Sequence, residues 1–132
     1  MKILFICKYN KLRSKMAEHL FNHYNKDKKN EAKSAGLRMD IVYPYMVERA
    51  KKLLEQRGVK CSDDPSVLVN DYLIKWADKI VIVADDVSSE SFPKDKVERW
   101  EIEDVPDENA KKISLRMNEI DEKVKELVEK IK

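Results

Sequence analysis

The 132-residue chain has the length of one domain, with enough sequence to bury a substantial core. Its 27 basic and 25 acidic residues leave a net charge of +2, which gives no footprint for nucleic acid or a charged membrane surface. No apolar run approaches the roughly 18 residues of a membrane span. Two cysteines do not make a disulfide framework, and the apolar start is too short for a signal peptide. The expected location is therefore the cytoplasm, where a free thiol persists.

Ile3 to Ile6 are four apolar residues in a row, too short for a helix and suited to a strand buried on both faces. Met16, Ala17, Leu20, Phe21 and Tyr24 share one face of a predicted helix from Arg13 to about Tyr24. Asn25–Asn30 is a polar connection. Glu31–Ser34 reads as a short edge strand, and Gly36 as a tight backbone turn. Pro44 precedes a helix over about Tyr45–Arg57, closed by Gly58. Val59–Ser66 is irregular, and a further helix falls within Val67–Trp76.

Lys79–Ala84 is the second buried strand, with Asp85 and Asp86 at its carboxyl end. Open α/β sheets place their sites at such ends, so this pair either lines a site or is a polar strand end. Val97–Ile102 is a candidate last strand, and Glu103–Asp107 a loop. Asp107 or a neighbour caps a long final helix, whose stripe of Ile113, Met117, Ile120, Val124, Leu127, Val128 and Ile131 reads as core. Strands alternating with helices predict a doubly wound α/β fold. We expect four parallel strands in order 2-1-3-4 with helices on both faces.

The chemistry concentrates between Cys7 and Ser14. Cys7 ends the first strand, five residues separate it from Arg13, and a helix begins there. A loop so placed turns successive backbone N–H groups and a helix N-terminus toward one spot, which is an oxyanion cradle. Arg13 adds a bidentate partner for a phosphate, and the same positive field favours a thiolate at Cys7. The expected anion-binding set is Lys8, Tyr9, Asn10, Lys11, Leu12, Arg13 and Ser14.

The run Cys7-Lys-Tyr-Asn-Lys-Leu-Arg13-Ser14-Lys-Met-Ala-Glu18 resembles the start of the low-molecular-weight protein tyrosine phosphatases, Cys-x-Gly-Asn-x-Cys-Arg-Ser-Pro-Met-Ala-Glu. Ser34-Ala-Gly36, Ala77-Asp-Lys-Ile80 and Trp100-Glu-Ile-Glu-Asp104 extend the resemblance over nearly the whole chain. It implies phosphomonoester hydrolysis through a phosphocysteine, on phosphotyrosine proteins or aryl phosphates, with no cofactor and no metal. It assigns Cys7 as nucleophile, Arg13 as the transition-state clamp, and Asp104 as general acid and later base. Ser14 would bond the Cys7 sulfur, and Asn10 would hold the loop through Ser14 and Ser34. The family's glycine is Tyr9 here, its second loop cysteine is Leu12, and its proline is Lys15. Asp104-Val-Pro-Asp107 replaces the family's Asp-Pro-Tyr, which leaves Glu103 and Asp107 as alternative acids. Tyr9, Met39 and Tyr43 are candidates for the walls that the missing tyrosine would have supplied.

Two other functions compete. Arsenate reductases on this fold pass a disulfide outward through cysteines after the central strand, and Ala84–Pro93 contains none. A non-catalytic phosphate- or phosphoprotein-binding module would need neither a nucleophile nor an acid. Cys61 reads as a packed residue, Asp63-Asp64 as a turn, and His19 with His23 as an unliganded pair. Oligomeric state leaves no trace in the sequence.

Overall fold

The computed structural model describes residues 1–106 and 109–132. The elements run β1 (Lys2–Cys7), α1 (Arg13–Tyr24), β2 (Glu31–Gly36), α2 (Glu48–Gln56), α3 (Asp71–Trp76), β3 (Lys79–Val83), β4 (Val97–Trp100) and α4 (Ala110–Lys130). The strands form one parallel sheet in the order β2-β1-β3-β4, as the alternation of elements predicts. Neighbours β2, β1 and β3 all point their carboxyl ends to one edge, which is where Cys7 emerges.

The strand side chains alternate between two cores, as the two-residue period requires. Ile3, Phe5 and Val81 face the larger core, which Met16, Leu20 and Phe21 of α1, Leu54 of α2 and the α4 stripe fill. Leu4, Ile6, Ile80 and Ile82 face the smaller one, closed by Leu73 of α3 and by Ala77, Val87 and Phe92. Of the predicted stripe, Ile113, Met117, Ile120, Val124 and Leu127 are buried along α4, while Val128 and Ile131 pack against the core only partly buried. No helix among the described residues is long and apolar enough to cross a membrane.

Four boundaries differ from the sequence expectation. Helix α2 begins at Glu48, not near Tyr45, because the backbone before it is tied to the cradle through Val47 N–H and Lys11 C=O at 2.8 Å. Strand β4 ends at Trp100, not Ile102, since Ile102 N–H folds back to Trp100 C=O at 2.9 Å in a tight three-residue turn. The α4 cap is Asn109, whose side chain accepts from Lys112 N–H at 3.0 Å. Asp107, named for that cap and as an alternative acid, lies outside the described residues.

Gly36 is the fourth correction. It is not a turn but the last residue of β2, in register with Cys7. A Cβ there would stand 2.8 Å from the backbone of Asn10 and of Tyr9. The glycine is required because the Cys7–Arg13 loop crosses directly over it. Gly58 does end α2 in the left-handed region, with φ of 83°.

Candidate functional site

Peptide planarity decides which way the loop after β1 faces. The Cys7 carbonyl accepts from Leu37 N–H at 3.2 Å, and that of Lys8 from Arg38 N–H at 2.8 Å. The Asn10 carbonyl accepts from Ser66 Oγ at 2.9 Å, and that of Lys11 from Val47 N–H at 2.8 Å. Each trans peptide holds its N–H opposite its C=O. With these carbonyls bonded outward, the N–H groups of Lys8, Tyr9, Lys11 and Leu12 turn inward. The loop is thereby a nest of donors around one point.

The cost of that shape falls on Asn10, the one non-glycine residue with positive φ (55°) among the described residues. Tyr9, at the family's glycine position, carries no such strain. Asparagine tolerates the left-handed region better than most residues. Its fully buried side chain also holds it there. Asn10 Nδ2 donates to Ser14 Oγ at 2.7 Å and to Ser34 Oγ at 2.9 Å, and Asn10 Oδ1 accepts from Val67 N–H at 2.9 Å. Ser34 in turn donates to the Glu18 carboxyl, which burial pushes above the usual carboxylate range. Ser14 Oγ lies 2.9 Å from Cys7 Sγ.

Lys15 takes the proline position and is almost wholly buried, its ammonium on the carbonyls of Asp64 (3.2 Å) and Pro65 (3.3 Å). It pins residues 64–66 against the loop, and Ser66 and Val67 then reach Asn10. Neither Lys15 nor Ser66 carries a sequence signal for this task.

Arg13 opens α1 with its guanidinium 2% exposed. Nη1 donates to the Ile102 carbonyl at 2.9 Å and lies 3.4 Å from Asp85, Nη2 lies 3.0 Å from Asp86, and Nε lies 3.8 Å from Asp104. Asp85 and Asp86 are therefore partners of Arg13, which the sequence left open between a site wall and a strand end. Asp104 is 56% exposed at the mouth.

These groups surround a cavity of about 530 Å³ at the carboxyl edge of the sheet. Cys7, Lys8, Tyr9, Lys11, Leu12, Arg13 and Asp104 all line it, together with Met39, Asp40, Ile41 and Val47. Asn10 and Ser14 lie outside its wall, as the buried supports just described. Tyr9 and Met39 are thus at the mouth, whereas Tyr43 lines the neighbouring groove. Lys11 Nζ lies 2.6 Å from Asp40, and that hydrogen bond holds the Asp40 carboxyl below its usual range.

The chain's family follows from the match of residues 2–132 to the model for low molecular weight phosphotyrosine protein phosphatases. The chain belongs to this family. An arsenate reductase from Archaeoglobus fulgidus is 35% identical over 96% of this chain and 98% of that one, with a TM-score of 0.76. A low molecular weight protein tyrosine phosphatase from T. tengcongensis is 26% identical over 98% and 99%, with a TM-score of 0.87. The YwlE arginine phosphatase from Geobacillus stearothermophilus is 25% identical over 98% and 92%, with a TM-score of 0.84. No curated protein sequence matches the chain. Family membership supports phosphatase activity, and these relatives span more than one substrate.

The remaining candidates lie away from this phosphatase-family cradle. Cys61 packs against the larger core and does not line the cavity that Cys7 lines. Burial pushes the Cys61 thiol up to about 11. His19 is buried, and that burial lowers it to about 4, while His23 is exposed. Only His23 of this pair is therefore open to solvent. No cluster of three or more metal-ligating side chains occurs among the described residues.

Gly36→Ala tests the crossing of the loop over β2. The new methyl would meet backbone at 2.8 Å, which cannot rotate away as a side chain could. We expect a loss of about 1–3 kcal/mol in thermal unfolding, the usual range for overpacking. Inorganic phosphate should bind more weakly by calorimetry, because the displaced segment carries the inward N–H groups of Tyr9 and Lys11.

Proposed function

We propose that the chain is a cysteine-dependent phosphomonoester hydrolase for aryl phosphates, phosphotyrosine in proteins foremost. The observation that carries this reading is the placement of Cys7, Arg13 and Asp104 around a single cavity. A thiolate at the base of a ring of inward N–H groups meets a phosphate along its axis. The P–S bond forms as the ester P–O bond breaks, and Asp104 gives its proton to the leaving oxygen. In the second step Asp104 takes a proton from water, the water oxygen attacks phosphorus, and the P–S bond breaks. Arg13 and the loop amides hold the equatorial oxygens throughout. They supply positive charge that a metal ion supplies in other phosphoryl-transfer sites, so the reaction needs no metal or cofactor.

Tyr9, Met39 and Ile41 give the mouth an apolar wall suited to an aromatic leaving group. The reading treats the chain as one catalytic domain of the cytoplasm that acts on soluble phosphoproteins, not on nucleic acid or membranes. Arsenate reduction is supported less well. It needs a second thiol within reach of the first, and Cys61 does not line the cavity around Cys7.

Hydrolysis of p-nitrophenyl phosphate across pH tests the proposal. The expected result is turnover at mildly acidic pH that persists with a chelator present. Asp104→Asn should lower kcat by roughly 10²-fold or more, within the range for a lost general acid. Glu103→Gln should change it little. A parent protein that binds phosphate but turns over no ester would overturn the enzymatic reading in favour of a binding module. Thiol-dependent loss of arsenate without ester hydrolysis would favour the reductase.

A further inference from the structure

A second groove, of about 590 Å³, continues from the mouth of the site along α2. Lys11 and Val47 line both cavities, so the two meet across these side chains. Beyond them the groove is lined by Tyr43, Glu48, Arg49, Lys52, Leu53 and Gln56. Arg49 and Lys52 are three apart on α2 and so neighbours on its surface. Both are exposed, and neither is ion-paired among the described residues. Lys51, which turns elsewhere, is paired with Asp63. The groove thus sets Arg49 and Lys52, with Lys11 shared with Asp40 at its end, against Glu48.

Around Arg13 the site carries the reverse sign. Asp104 stands there half-exposed, with exposed Glu103 beside it, and Asp85 and Asp86 lie behind Arg13. A segment that leaves the mouth along α2 therefore meets positive charge, and one that leaves past Asp104 meets negative charge. The Tyr43 ring, with Lys11 Nζ 5.5 Å from its centroid, and Leu53 supply apolar surface along the positive side. A lysine-rich stretch on a convex helix face is ordinarily just solvated. This one is concave, aromatic-rimmed and continuous with an anion cradle.

We propose that this groove is a subsite for an acidic segment of a protein substrate, reading Asp or Glu residues beside the phosphorylated one. The inference rests on the phosphatase reading for its substrate and on the groove for its selectivity. A carboxylate entering the groove meets Arg49 and Lys52 and competes with Asp40 for Lys11. Exposed charge pairs are individually weak, so two or three of them give a preference of roughly 3- to 10-fold. The preference should appear in KM and in affinity, since the flanking contacts do not change during bond breaking.

The test uses two phosphotyrosine peptides of equal length, one with Asp and Glu flanks and one with Ser and Gln flanks. Affinity for the Cys7→Ser protein, read by fluorescence anisotropy, reports the groove without requiring turnover. The acidic peptide should bind several-fold tighter at low salt, and the difference should shrink at high salt. Arg49→Glu/Lys52→Glu should abolish or invert it, and the milder Arg49→Gln/Lys52→Gln should abolish it. In the parent, kcat/KM should follow the same order, with p-nitrophenyl phosphate hydrolysis unchanged by either double variant. Equal affinity for the two peptides would overturn the subsite, as would a preference that survives both double variants. Failure to hydrolyse p-nitrophenyl phosphate would strike the phosphatase reading separately, because the affinity difference does not depend on it.

Discussion

Cys7→Ser is expected to take p-nitrophenyl phosphate turnover below detection, a loss of roughly 10⁴-fold or more, as for other single nucleophile removals. The side chain is buried at the base of the cavity, and Ser14 Oγ stands 2.9 Å from its sulfur. The proposed mechanism needs a sulfur nucleophile at this spot, and the inward N–H groups surround the site it attacks from. A serine hydroxyl is a far weaker nucleophile than a thiolate unless a base activates it. The hydroxyl is also smaller than the thiol, so the loop keeps its shape. The variant should therefore melt near the parent temperature and still bind inorganic phosphate. Retained folding and phosphate binding with no turnover assign the nucleophile. Turnover within about tenfold of the parent would mean that some other group attacks phosphorus, and the mechanism would fall.

The parts of the fold that were legible in the sequence are those whose burial leaves a pattern. Ile3–Ile6 and Ile80–Val83 are buried on both faces, and a run of apolar residues has no other stable use in a chain of this kind. Helices α1 and α4 show their buried stripes at helical spacing. The contiguous run from Cys7 to Ser14 was legible for a different reason: strand, loop and helix follow one another without a break, so the cradle is local.

What the sequence hid is what the fold brings from a distance through backbone atoms. The Ile102 carbonyl that holds Arg13 and the Val47 N–H that holds Lys11 carry no side-chain signature. Lys15 looks like any solvent-facing lysine in a first helical turn, yet its ammonium sits on two carbonyls some fifty residues away in sequence. Gly36 signalled an unusual backbone need, but a turn and a close crossing use the same residue. Only the register of Gly36 beside Cys7 separates them.

Arg13→Lys is expected to lower kcat/KM by roughly 10³-fold, with kcat falling and KM rising together. Loss of one preorganised donor to a developing oxyanion costs about 10²–10³-fold, and arginines that neutralise a phosphoryl transition state are worth about 10³–10⁵-fold. The local geometry places this change toward the upper part of the first range. The guanidinium already spends Nη1 on the Ile102 carbonyl at 2.9 Å and Nη2 on Asp86 at 3.0 Å, which fixes its plane. Its remaining donors are then held ready for the equatorial oxygens. An ammonium has three donors at one point and no plane, so it cannot hold the carbonyl and Asp86 while also clamping a phosphate. Asp85, Asp86 and Asp104 would be less well neutralised and would repel an incoming dianion, which raises KM. The shorter reach of lysine removes the clamp in the transition state, which lowers kcat. Thermal unfolding and steady-state kinetics on the same preparation separate these effects from misfolding. A variant that folds and loses less than about tenfold in kcat would show that Arg13 only binds substrate, and the loop amides would then carry the stabilisation alone.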